Sequence, residues 1–185
     1  FSMSDLADLN KFSINSISKA ALTTAMVHHI SVLENRYPWQ ILGLGEPPEI
    51  RTSYTVGIDE PAKMLEEIKS SKFKIIKIKM GFDGDEDLIP ALSKYSKKKF
   101  RVDANGGWLP EKAEKMIAML DRSGVEIIEQ PTKEEHIKDW KYIKGRAKAS
   151  IIIDEGLNNL SDYEIFADYV DGINIKMSKS GGAIE

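Results

Sequence analysis

Two hydrophobic rhythms divide this chain. Ile17, Ala20, Ala21, Ala25 and Ile30 recur at helical spacing and predict one helix over residues 16–35, with Ser16 placed to cap it. A break at Tyr37-Pro38-Trp39, then Gly43, Gly45 and Pro47-Pro48, predicts a domain boundary or linker near residue 50. Beyond it, short apolar runs alternate with amphipathic stretches. Strands are expected at 53–58, 74–80, 100–103, 125–129, 151–154 and 172–176, and helices at 61–70, 86–95, 110–122, 134–144 and 161–169. Pro61 and Pro110 suit helix first turns, where a missing N–H costs nothing. Strand–helix repetition of this kind implies right-handed crossovers and a parallel sheet, and the run Ile151-Ile152-Ile153 fits a sheet covered by helices. The expected fold class is α/β. A complete eightfold barrel takes ~250 residues, so six strands mean either an open sheet or an incomplete TIM-type (β/α) barrel.

Composition narrows the functional classes. The chain has 185 residues, 42% hydrophobic and 30% charged, with a net charge of −3. That balance indicates neither a nucleic-acid footprint nor a polybasic membrane surface, and no apolar run is long enough to cross a bilayer. The absence of cysteine removes disulfides, thiolate catalysis and cysteine-based zinc sites, and fits a cytoplasmic protein. Residues 1–13 lack a basic start followed by an apolar run, so no signal peptide is expected. His28, His29 and His136 read as structural or surface residues.

The chemistry lies at the strand ends. Lys79, Asp103, Glu129, Asp154 and Lys176 each close an expected strand, 22 to 26 residues apart, about one strand–helix unit. In barrels the C-terminal strand ends are where active sites are assembled from several strands. Alternation along a strand puts Lys77 and Lys79 on one face with Ile75, and Ile76 and Ile78 on the other. By the same parity Asp103 goes with Arg101, Glu129 with Ile127, Asp154 with Ile152 and Lys176 with Asn174. That face is expected to point inward and the other toward the helices. Charges there are costly unless paired, metal-bound or open to a pocket. Three carboxylates on adjacent strands repel one another, and a hard divalent cation resolves the repulsion; oxygen-only ligands favour magnesium or manganese over zinc. The two lysines flank the row, an arrangement suited to proton removal and return on opposite faces of a substrate carbon. Lys77 either supports Lys79 and a substrate carboxylate or forms a salt bridge to a neighbouring strand. Asn105 and Glu155 are candidates to brace the metal ligands from behind.

These segments resemble a known family. Lys77-Ile78-Lys79 resembles the K-x-K signature of the muconate-lactonizing subgroup of the enolase superfamily. Asp103-Ala104-Asn105-Gly106-Gly107-Trp108, Glu129-Gln130-Pro131 and Asp154-Glu155-Gly156 resemble its three ligand motifs. The stretches 174–182 and 52–59 are similar to the sixth and first barrel strands of dipeptide epimerases. The resemblance implies that residues 1–50 are the C-terminal helical part of an α+β capping domain, and 51–185 the first six units of a truncated (β/α)7β barrel. It implies magnesium, with manganese as the alternative, on Asp103, Glu129 and Asp154. It implies Lys79 and Lys176 as the acid/base pair, Lys77 and Thr55 near the substrate, and an enediolate formed when the α-proton leaves. The implied activity is epimerisation of dipeptides of the L-Ala-D/L-Glu type. The implied partner is that small substrate, with no nucleic acid or membrane involved and a homo-oligomer left open. The departures are Gly156 in the third ligand motif, where Ser or Ala is commoner, and Gly106, where Gln is frequent; neither removes a catalytic group. The eighth-strand acidic motif and the specificity loop of such epimerases are not found in the sequence. Competing readings are a muconate cycloisomerase or o-succinylbenzoate synthase, a Schiff-base aldolase using a strand-end lysine, and a barrel relic without catalysis.

Overall fold

The computed structural model describes Asp8, Lys11 and residues 13–95 and 97–183. Most of the stretch 1–13, read above for a leader, lies outside the described residues. By compactness the chain forms two units, residues 1–50 with 175–185, and residues 51–174.

In the first unit, α1 spans Ser16–Glu34 and α2 spans Pro38–Ile41. The cap of α1 is Asn15, not Ser16. Asn15 keeps an extended backbone, and its side chain accepts the Ser18 N–H at 2.8 Å, satisfying one of the first-turn donors. The helix ends at Asn35 in the left-handed region (φ 50°). Met26, Val27 and Ile30 of α1 pack with Ile41 in a small core.

The second unit is built on a six-stranded parallel sheet in sequential order. Its elements are β1 (Tyr54–Val56), α3 (Pro61–Ser70), β2 (Ile75–Lys79), α4 (Ile89–Leu92), β3 (Lys99–Asp103), α5 (Pro110–Arg122), β4 (Val125–Glu129), α6 (Trp140–Lys144), β5 (Ser150–Ile153), α7 (Leu160–Phe166) and β6 (Gly172–Ile173). The proline-started helices α3 and α5 keep the bounds expected from their periodicity. The other three expected helices are composite. Tight 3-10 turns over Asp85–Leu88 and Ser93–Tyr95 bracket α4, one over Glu134–Asp139 precedes α6, and one over Ala167–Tyr169 follows α7. Pro90 stands in the first turn of α4 and cannot donate to the turn before it, which accounts for the break there. β6 stops at Ile173, shorter than expected, though the Asn174 N–H still donates to the Ile153 carbonyl at 2.8 Å. The first unit is completed by α8 (Met177–Ser180), which packs on α1; a Cβ on Gly182 would stand 3.0 Å from Thr23. Among the described residues no helix is long and apolar enough to cross a membrane.

The two faces of the sheet differ as parity requires. Val56, Ile76, Ile78, Val102, Ile128, Ile151 and Ile153 are fully buried, in one core with Met64 and Ile68 of α3, Leu92 of α4, Ala113, Met116 and Leu120 of α5 and Trp140 of α6. Ile75, Lys77, Lys79, Arg101, Ile127 and Ile152 alternate with them and are only half-buried. Folding energy therefore comes mainly from the helix-covered face. Ile78→Ala is expected to cost about 2–5 kcal/mol, in the range for truncating a buried aliphatic side chain, and Ile75→Ala distinctly less. Urea-unfolding midpoints of the two variants check this; equal losses would contradict the assignment of faces.

Candidate active site

The register brings the charged strand ends together. Lys79 of β2 lies opposite Asp103 of β3, and Asp103 lies opposite Glu129 of β4. Asp103 and Glu129 are both buried at the C-terminal end of the sheet. Burial of two neighbouring carboxylates demands compensation, and Lys77 supplies it. Its Nζ lies 2.8 Å from Asp103 Oδ2 and 2.7 Å from Glu129 Oε2. Lys79 Nζ lies 2.7 Å from the same Asp103 oxygen. Of the two roles open to Lys77 in the sequence, the structure contains the salt bridge, to the neighbouring strand β3 and to β4 beyond it.

The remaining valences are filled by amides. Asp103 Oδ1 accepts the Asn105 N–H at 3.0 Å, and Glu129 Oε1 accepts the Asn174 amide at 2.9 Å. Asn105 Oδ1 accepts from Lys79 Nζ at 2.8 Å, while its Nδ2 donates to Glu155 at 2.7 Å. Asn105 thus bonds both Lys79 and Asp103, and Glu155 bonds Asn105. One network runs from Glu155 through Asn105, Lys79, Asp103, Lys77 and Glu129 to Asn174. Thr55 lies opposite Lys77 in register, on the same face of the sheet and exposed.

Asp154 lies one residue past β5 and is buried. Gln130 controls its backbone. The Gln130 carboxamide oxygen accepts the Asp154 N–H at 2.9 Å and the Gly156 N–H at 3.4 Å, and its Nε2 donates to the Thr132 carbonyl at 3.0 Å. Gln130 itself takes a left-handed backbone (φ 41°), an uncommon conformation for a residue with a side chain. Lys176 belongs to the first unit, three residues past β6, and caps α8, its carbonyl accepting from Lys179 and Ser180. Sequence reasoning assigned no role to Gln130 or Asn174. Parity pointed to Asn174, two residues before Lys176, whereas nothing local marks the reach of Gln130 to β5.

The electrostatics follow from burial and pairing. Burial opposes ionisation of Asp103, but Lys77 and Lys79 outweigh it and hold the carboxyl below its ordinary value. Glu129 goes the other way: burial, reinforced by the nearby Asp103 charge, lifts it above its ordinary value despite Lys77. Burial works against the Lys77 charge too, yet its two carboxylates raise its pKa. A buried row offering only oxygen donors suits a hard divalent cation in its chemistry. In this arrangement, however, ammonium groups fill the carboxylates' coordination, and among the described residues no three acidic or histidine side chains cluster closely enough to hold an ion.

A sequential parallel α/β sheet with acid and lysine side chains at its C-terminal strand ends is the architecture of the barrel enzymes. The chain belongs to the enolase C-terminal domain-like family, which its residues 60–185 match. It is 31% identical over 171 residues to the L-Ala-D/L-Glu epimerase of Bacteroides thetaiotaomicron, covering 91% of this chain and 45% of that protein. A dipeptide epimerase from Cytophaga hutchinsonii, solved in complex with Mg and the dipeptide D-Ala-L-Val, superposes with a TM-score of 0.85 at 28% identity, over 98% of this chain and 52% of that one. Muconate cycloisomerase from Pseudomonas fluorescens shares the fold, with a TM-score of 0.84 at 20% identity over 97% of this chain and 53% of that one. The chain therefore spans about half the length of these relatives.

Removing the shared cation exposes the carboxylate repulsion. Lys77→Met is expected to cost about 2–4 kcal/mol at neutral pH, somewhat below the range for a fully buried pair because Lys77 keeps some solvent contact. In the wild type, the lowered Asp103 contributes stability above the ordinary Asp range, and this is lost as pH falls through its folded value. In the variant, Glu129 loses its cation and Asp103 keeps only Lys79, so the pair favours protonation more than in wild type, and the penalty is present at high pH and relieved on acidification. The melting-temperature gap between the two proteins, measured in EDTA from about pH 7.5 down to about pH 5, should narrow. A gap that widens would contradict this account.

Proposed function

We propose that this chain carries the acid/base and metal-binding part of a dipeptide epimerase acting on substrates of the L-Ala-D/L-Glu type. One observation carries the reading: Lys79 is hydrogen-bonded to Asp103 and Asn105 at the end of a row whose next carboxylate, Glu129, is held through Lys77. Membership of the enolase family and the likeness to an L-Ala-D/L-Glu epimerase support it.

In this reading Asp103, Glu129 and Asp154 are the magnesium ligands. What magnesium supplies when bound is positive charge beside the substrate carboxylate, lowering the cost of the negative charge that loss of the α-proton puts there. Lys79, in its free-amine form, takes the α-proton from one face of the carbon. Lys176, assigned from its motif over residues 174–182, returns a proton to the opposite face. Starting from the other isomer, the roles reverse. Lys77, whose pKa the neighbouring carboxylates raise, stays protonated, and with Thr55 beside it in register it lies near the substrate. Asn105 orients Lys79, and Glu155 orients Asn105.

The test is incubation of the intact protein with L-Ala-L-Glu and magnesium in deuterium oxide. Deuterium should appear at the Glu α-carbon together with the D isomer. EDTA should abolish exchange and added magnesium restore it. Lys79→Ala and Lys176→Ala should each reduce epimerisation by about 10²-fold or more, the scale of a lost general base. Full activity after exhaustive chelation would favour a Schiff-base mechanism, and absence of exchange would remove the dipeptide assignment for this substrate.

A further inference from the structure

Among the described residues outside the network above, Asp85 is an ionisable group with no exposed surface. Asp85 opens the turn before α4, on the loop that follows β2. Its Oδ2 accepts the Gly81 N–H at 2.7 Å and the Trp108 indole N–H at 2.7 Å, and its Oδ1 lies 2.9 Å from Lys112 Nζ. These donors come from two loops and a helix. Gly81 is two residues past Lys79, Trp108 is three residues past Asn105, and Lys112 is in the first turn of α5. A fully buried carboxylate with three donors around it is expensive to form and expensive to disturb.

The same two loops interlock through their backbones. A Cβ on Gly81 would stand 2.2 Å from the Ala104 carbonyl oxygen, and one on Gly107 2.3 Å from the Gly81 carbonyl oxygen, so neither position admits a side chain as built. The Met80 N–H donates to the Asp103 carbonyl at 2.8 Å. From the other side, Gly106 and Trp108 N–H groups donate to the Gln130 and Pro131 carbonyls at 2.8 and 3.2 Å. The turn bearing Asn105 (φ 46°) is therefore held between the loops after β2 and β4. Among the described residues, Asp85 is the one carboxylate whose side chain bonds both the β2 loop and the segment after the Asn105 turn. Whatever fixes those two segments fixes Lys79 Nζ against Asp103 and Asn105.

We propose that Asp85, through Trp108, Gly81 and Lys112, is a positioning residue for Lys79, setting the place of that amine from the core while touching neither Lys79 nor any substrate. Its kinetic consequence rests on the two-lysine reading above; its structural consequence does not. If each lysine serves one face of the carbon, misplacing Lys79 slows proton abstraction from one isomer of the dipeptide and spares abstraction from the other. A general loss of stability lowers both alike. Small displacements of a reacting group are sufficient, since a misplacement of about 1 Å can cost on the order of 10²-fold.

The experiment compares Trp108→Phe, which deletes the indole N–H and keeps an aromatic ring, with wild type and with Trp140→Phe. The control deletes another buried indole N–H, bonded 2.8 Å from Thr132 Oγ1. Lys112→Met is the second variant should Trp108→Phe fail to fold. Two quantities are read on the intact protein with magnesium: initial α-deuteration rates from L-Ala-L-Glu and from L-Ala-D-Glu, and amide hydrogen exchange along the chain. Trp108→Phe or Lys112→Met should change the ratio of the two rates by about tenfold or more, with amide protection lost over residues 80–85 and 104–108. Trp140→Phe should leave the ratio as in wild type. An unchanged ratio, or unchanged protection in those two loops, overturns the proposal. If wild type deuterates neither isomer, the dipeptide reading has failed by itself and loop protection alone decides the role of Asp85.

Discussion

The site depends on one ammonium group lodged between two buried carboxylates. Without Lys77, Asp103 and Glu129 would face each other in register at the sheet end with little water to separate their charges. The remaining polar contacts are consequences of that pairing. Lys79 shares an Asp103 oxygen already bonded to Lys77, Asn174 takes the Glu129 oxygen that Lys77 leaves, and Asn105 and Glu155 extend the row outward. Any divalent ion reaching these carboxylates would compete with an ammonium group already in contact with them. A lysine and a divalent ion are alternative answers to one electrostatic problem, and in this structure the lysine provides the answer.

A second constraint works at the backbone level. The charged residues of the candidate site sit at or just past strand ends, where sheet hydrogen bonding stops fixing the chain. The fold replaces the missing ladder with side chains: Gln130 ties the end of β4 to the segment after β5, and Asp85 ties the loop after β2 to the turn after β3. Both use buried polar groups: the Gln130 carboxamide and Asp85 Oδ2 are hydrogen-bonded, while Asp85 Oδ1 makes no hydrogen bond and is held by the Lys112 charge 2.9 Å away. The left-handed residues Asn105 and Gln130 mark where the chain is bent to bring this about.

Much of this was legible in the sequence. The spacing of strand-end charges anticipated that Lys79, Asp103 and Glu129 meet in register, and parity separated Lys77 and Lys79 from Ile76 and Ile78, because both signals depend on local geometry that every strand obeys. Helices α3 and α5 were readable because a first-turn proline marks their start and an uninterrupted periodicity their length. What could not be read depends on tertiary meetings. Asp85 lies in an acidic stretch, residues 83–87, that resembles any solvated loop until Trp108 arrives from a different turn. Gln130 looks like one polar residue among several, since its partners on the β5 side lie 24 and 26 residues away. The Asn15 cap shows the same limit at short range: Asn15 and Ser16 are both good caps by chemistry, and only the extended backbone at Asn15 decides between them.

The alternation of faces has a consequence for how the sequence can change. Core and chemistry occupy successive residues of the same five-residue strand, Ile75–Lys79. Each can be replaced residue by residue without disturbing the phase of the other. Insertion or loss of one residue inside β2 is a different kind of lesion: it would turn lysines toward the helices and isoleucines toward the carboxylates, damaging folding and charge compensation together. Length variation in this chain should therefore collect in the segments between strands, while the strands that present the site keep a fixed count even where their side chains drift.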